Sequence, residues 1–130
     1  MSLSRNKALV KSFVEEVFNK HDLSATEKYL YQSEGFKQIF NTYLTAFPDF
    51  HVKIEHIVAE NNLVLVFLNW SGIHQGEFQG IPSTNKPINM RSADLYRIEN
   101  EIIVEHWDVI DQLNMLQQIG AITFQQGNQE

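Results

Sequence analysis

The sequence predicts an α+β fold in which a curved antiparallel sheet wraps around helices from the N-terminal third, and three observations carry that expectation. Apolar residues recur with helical spacing as far as Phe47 and with period two from Phe50 onward. Helical segments come first and strands follow, instead of alternating. Successive strand-like runs are separated by short turn-forming breaks, so each lies within hairpin reach of the next. A sheet bent round a long helix makes a cone with an open mouth, and a cone built from 130 residues contains a pocket.

The first helix is read from Ala8, Val10, Phe13, Val14, Val17 and Phe18, which share a stripe while Arg5, Lys7, Lys11, Glu15 and Glu16 fall largely elsewhere. It stops near His21-Asp22. Ser24-Ala-Thr-Glu27 has capping-box spacing and predicts a short second helix through Tyr31. A third helix places Phe36, Ile39, Phe40, Tyr43, Leu44 and Phe47 on one stripe and ends before Pro48. Phe50, Val52, Ile54 and Val58 then alternate with polar residues as a first strand, with His56 on its covered side. After a turn at Glu60-Asn-Asn62, Val64 to Leu68 is apolar on both faces, as a central strand should be, and the strand continues through Trp70 and Gly72 toward Phe78. The segment Gly80 to Pro87 is a loop. Two further strands fold about Glu99-Asn-Glu101, and Leu113, Met115, Leu116 and Ile119 predict a closing helix ended by Gly120, with Asp111 as its N-cap. Residues 1–124 are expected to form a single domain and 125–130 a polar tail.

Composition narrows the function. A net charge of −6 and a pI near 5.3 argue against nucleic-acid or anionic-membrane partners, which need a concentrated basic patch to displace counterions. The absence of cysteine removes disulfides and thiolate metal sites, and with a polar start and no long apolar run it leads us to expect a cytoplasmic protein.

Chemistry concentrates on the last two strands. A three-residue turn sets Ile98 opposite Ile102, Tyr96 opposite Val104, Asp94 opposite His106 and Ser92 opposite Asp108. Ser92, Asp94, His106 and Asp108 then share one sheet face. A two-residue turn shifts the pairing by one and separates Asp94 from His106. In this register Asp94 and His106 are an ion pair that holds Asp94 charged, leaving Asp108 to transfer protons with Ser92 orienting it. The competing reading is a solvated strand face or an internal polar network without chemistry.

The run His74-Gln-Gly-Glu-Phe-Gln-Gly-Ile-Pro-Ser-Thr-Asn-Lys-Pro87, with Tyr96-Arg-Ile-Glu-Asn100, Ile103-Val-Glu-His-Trp-Asp-Val-Ile-Asp-Gln-Leu113, Leu116-Gln-Gln-Ile-Gly120 and Ala46-Phe-Pro-Asp49, resembles the SnoaL-like polyketide cyclase (ester cyclase-like) branch of the nuclear-transport-factor-2-like (NTF2-like) superfamily. The resemblance implies a cone-shaped fold, usually a homodimer packed through the sheet. It also implies ring closure by intramolecular aldol condensation or a related isomerisation, without metal or organic cofactor. The acid/base aspartate it implies falls on Asp108, with Asp94 and Ser92 at flanking cavity positions on the neighbouring strand. The chain departs from the branch in an abbreviated segment, Leu30-Tyr-Gln-Ser-Glu-Gly-Phe36, and in Asn100-Glu101 where an Asn-Gly turn is usual.

We therefore take Asp108, Asp94 and His106 as candidate catalytic residues and Ser92, His74 and Trp70 as candidate substrate contacts for a small apolar carbonyl compound. No pair of His and carboxylate has the short spacing of a helical metal site, His106-x-Asp108 alone is weak evidence for one, and no metal or cofactor is expected. The alternative is a non-catalytic binding or dimerisation module built on the same cone.

Overall fold

The computed structural model describes residues 2–123, so the predicted tail at 125–130 lies outside the described residues. Helix α1 spans Leu3–Phe13 and continues as a wider π-helical turn over Val14–Asn19. The extra residue per turn keeps both Phe13 and Phe18 in the core, with ring centroids 5.3 Å apart. Asn19 ends this segment by docking on the sheet: its side chain accepts from the Val52 N–H at 2.7 Å and donates to the Val52 carbonyl at 2.9 Å. A short 3₁₀ turn at Leu23–Ala25 leads into α2, Thr26–Tyr29. The expected capping box does not form. Ser24 turns its hydroxyl to Asp22 at 2.5 Å, and Thr26 donates back to the Leu23 carbonyl. Helix α3, Glu34–Ala46, ends before Pro48 as predicted, but Ile39 is exposed, outside the buried stripe.

Four strands follow, β1 His51–Glu60, β2 Leu63–Ile73, β3 Pro87–Glu99 and β4 Ile102–Ile110, in a sheet ordered β1-β2-β3-β4 with every pair antiparallel. The concave face presents Val64, Val66, Leu68 and Trp70 from β2 and Ile88 through Ile98 at even positions from β3, all buried against the helices. Helix α4, Gln112–Gln118, closes the chain with the Asp111 carboxylate accepting from the Asn114 N–H at 3.2 Å, as expected of its N-cap.

Two one-residue irregularities revise the predicted faces. In β1 the register slips between Ile54 and His56, so Ile57 and Ala59 turn inward while His56 pairs with Phe67 on the exposed side, opposite to the side expected. In the β3–β4 hairpin the turn is two residues long, with Asn100 at φ 52° and Glu101 at φ 62°, the geometry of a primed turn. That turn alone would have separated the polar cluster. A bulge at Val104 shifts the pairing back: Ile98 faces Ile103, but Arg97 faces Glu105 and Tyr96 faces His106. The bulged strand is also held from outside, since the Tyr31 N–H donates to the Ile103 carbonyl at 2.9 Å.

Candidate functional site

Because the turn and the bulge cancel, the even positions of β3 and β4 share the concave face, and the predicted cluster survives with its partners moved by two. Asp94 stands opposite Asp108, His106 opposite Tyr96, and Ser92 opposite Ile110. On its other side Asp94 faces Val66 of β2, which is wholly buried. The face lies in a cavity of about 390 Å³ between the sheet and α3. Its floor is Phe18, Phe40, Trp70, Asp94 and Tyr96, all buried, and its rim is Gln32, Gly35, Ile39 and Asp108, all exposed.

The expected pairing of His106 with Asp94 is not made, because the shifted register gives each a different neighbour. The His106 ring stacks on Tyr96 at 5.8 Å between centroids and meets the edge of Phe36 at 6.1 Å. Asp94 is 4% exposed; its Oδ2 accepts from the Tyr96 hydroxyl at 3.2 Å and its Oδ1 has no hydrogen-bond partner. Burial pushes its carboxyl up to about 7, the charge of Asp108 adds to the rise, and the hydroxyls of Ser92 and Tyr96 oppose it. Asp94 is therefore not held charged, as the sequence reading had it, but poised between its two forms near neutral pH. Burial and the Asp94 charge raise the Tyr96 phenol well above its usual value, so Tyr96 remains a donor. Tyr43 on α3 is likewise raised by burial and by Asp108.

The three expected substrate contacts separate. Trp70 lines the floor and donates its indole N–H to the Ser92 hydroxyl at 2.9 Å. Ser92 itself is buried behind the lining and is not part of it. His74 lies elsewhere. Its ring is completely buried beside Phe47, and its Nδ1 accepts from the Thr84 N–H at 3.2 Å, tying down the loop from His74 to Pro87. Burial lowers its pKa, which keeps the ring neutral. Gly76 at the start of that loop is required by space, since a Cβ there would fall 2.0 Å from the Thr45 carbonyl oxygen.

The residues that sequence reasoning missed are aromatic. Tyr96 shares the face of Asp94 by parity alone, and Phe18, Phe36, Phe40 and Tyr43 looked like ordinary core stripes; nothing in one helix's periodicity distinguishes a core contact from a cavity wall. Their arrangement gives a ring-lined space with one titratable acid at its floor and a second carboxylate at its mouth.

A family model described as SnoaL-like polyketide cyclase matches residues 6–119. Among solved structures, the chain resembles AclR of Streptomyces galilaeus, a candidate hydroxylase, at 27% identity over 96% of this chain and 87% of that one, with a TM-score of 0.87. It resembles a candidate polyketide cyclase of Acidithiobacillus ferrooxidans at 26% identity over 95% and 100% of the two chains, TM-score 0.82. A third likeness is IdmH of Streptomyces antibioticus, a candidate polyketide cyclase, at 25% identity over 88% and 98%, TM-score 0.78. No curated protein matches the chain.

Proposed function

The chain belongs to the SnoaL-like polyketide cyclase family, and from that premise we propose that it is a cyclase or isomerase that moves a proton next to the carbonyl of a small apolar compound held in the cone. The observation that carries this reading is the buried Asp94 carboxyl, raised to about 7, directly across the strand pair from the exposed Asp108. Two carboxyls whose surroundings differ so much divide acid from base between them.

In the proposed reaction Asp108 takes a proton from the carbon α to the carbonyl, and Asp94 in its acid form donates to the carbonyl oxygen, so an enol forms. The enol carbon then attacks a second carbonyl of the same molecule, one C–C bond closes the ring, and the proton held by Asp108 passes to the new alkoxide. The enol proton returns to Asp94 as its carbonyl re-forms. Atoms and electrons balance within the substrate, so the step needs neither metal nor organic cofactor. Tyr96 holds Asp94 through Oδ2, while Oδ1 is buried without a hydrogen-bond partner, and His106, Trp70 and the phenylalanines present flat surfaces to the substrate. Ser92 and His74 contribute by position: Ser92 sits between the Trp70 indole and the Asp94 region, and His74 fixes the loop beneath Phe47. The partner expected on the outside is a second copy of the chain, packed on the convex face, where Leu65-Leu95-Trp107 and Phe67-Ala93-Val109 form two apolar rows across three strands.

The test is exchange of the α-protons of an aryl ketone, such as acetophenone, for deuterium, followed by NMR. Acceleration by the wild type that is lost in Asp108→Asn and in Asp94→Asn supports the reading. A wild type that binds ketones without accelerating exchange turns the cone into a binding module.

A further inference from the structure

Glycine 35 has no structural reason to be glycine. It lies in the first turn of α3, its φ is outside the left-handed region, and a Cβ built on it meets nothing within 4 Å. Inside a helix such a residue only costs stability, because glycine surrenders more backbone freedom than alanine and packs nothing in return. What Gly35 does have is a place on the cavity rim, one turn before the exposed Ile39 and on the same lining as Asp108. The neighbouring Phe36 touches the His106 ring of β4 at 6.1 Å, so this end of α3 closes against the strand that carries Asp108. A side chain at 35 would start from open space on that rim.

We propose that Gly35 is a specificity-determining residue that keeps the mouth one side chain wider than the helix needs, so that the bound compound extends past the rim instead of being enclosed. Ile39, a large apolar side chain left exposed beside the gap, then has a ligand surface to cover. The site takes an elongated apolar ketone whose reacting carbonyl lies at the floor near Asp94 and whose far end leaves between α3 and β4. This inference rests on the cavity being the ligand site proposed above.

The test compares acetophenone with its biphenyl and terphenyl homologues, which share one carbonyl head and differ only in length, by calorimetric titration of the wild type and of Gly35→Ala, Gly35→Leu and Gly35→Trp. The expected result is a graded loss: in Gly35→Trp the terphenyl ketone weakens by at least about tenfold, the scale of a pocket misfit, while acetophenone changes by less than about twofold. Gly35→Ala should melt at or above the wild-type temperature, which shows that the helix tolerates a side chain there. Equal weakening of all three ketones, or no weakening of the longest, overturns the size filter and leaves the proton chemistry standing. A Gly35→Ala variant that melts lower gives the glycine a structural task and also overturns it. Failure of the wild type to bind any of the three removes the ligand reading itself.

Discussion

Asp94 and Asp108 are directly opposed on neighbouring strands, yet one is buried against Val66 and the other is exposed at the cavity mouth. Opposed residues on an antiparallel pair have Cβ atoms roughly 4.5–5.5 Å apart, so the two carboxyls feel each other while sitting in very different surroundings. The asymmetry comes from position in the sheet. β3 is central and covered by helices; β4 is an edge strand.

The buried carboxyl gives stability a pH dependence of definite sign. Its folded-state value, about 7, lies above that of the unfolded chain, so its contribution is present in full below the unfolded carboxylate range and is lost as pH rises through about 7. Asp94→Asn removes the cost of burying a charge and should melt several degrees above the wild type at pH 8, with the gap closing toward pH 4. Thermal melts across that range check it. Equal melting temperatures at pH 8 would mean that Asp94 is solvated.

Turnover should follow the same group in the opposite experiment. If Asp94 acts as the acid, the rate falls as pH rises through about 7, where its proton is lost. A rate–pH profile that is flat between pH 6 and 8 would remove Asp94 from the proton path.

Asp108→Asn separates chemistry from architecture. Because Asp108 is exposed, its loss should leave the melting temperature nearly unchanged, while exchange or cyclisation drops by about 10²–10⁴-fold. A variant that melts much lower with intact turnover would make Asp108 a structural residue.

Glu101 sits at φ 62° in the β3–β4 turn. Glycine adopts that conformation without steric cost, so Glu101→Gly should stabilise the protein by a few tenths to about 1 kcal/mol in a denaturant melt. The sign is the test.

The convex face carries Trp107 at 46%, Val109 at 75% and Phe67 at 43% exposure. A dimer packed on it should sediment at twice 15.1 kDa at micromolar concentration, and Trp107→Lys with Val109→Asp should release the monomer. A wild type that sediments as a monomer leaves those side chains without a partner.

Much of this was legible in the sequence, for physical reasons. Hydrophobic period reports which face of an element is covered, and it set the helices first and the four strands in order, while an Asp standing just before the last helix marked its cap. It cannot report a bulge, because an extra residue changes parity without changing composition; His56 was misplaced for that reason. The cluster of Ser92, Asp94, His106 and Asp108 was found through an incorrect turn, since the predicted three-residue loop and the observed two-residue loop with a bulge give the same parity. Depth was not legible at all. That Asp94 is the floor and Asp108 the rim depends on which strand α3 crosses, and no local pattern encodes that.

The bulge at Val104 also determines which changes in chain length the hairpin can absorb. Deleting Val104 alone would straighten β4 and still leave Arg97 opposite Glu105 and Tyr96 opposite His106, so the site face would be kept, whereas pairing Val104 with Arg97 without losing a residue would rotate His106 and Asp108 to the convex face and bring Glu105 and Trp107 into the cavity. Relatives that keep this turn and the site face but lack the bulge are therefore expected to be one residue shorter between Asn100 and His106.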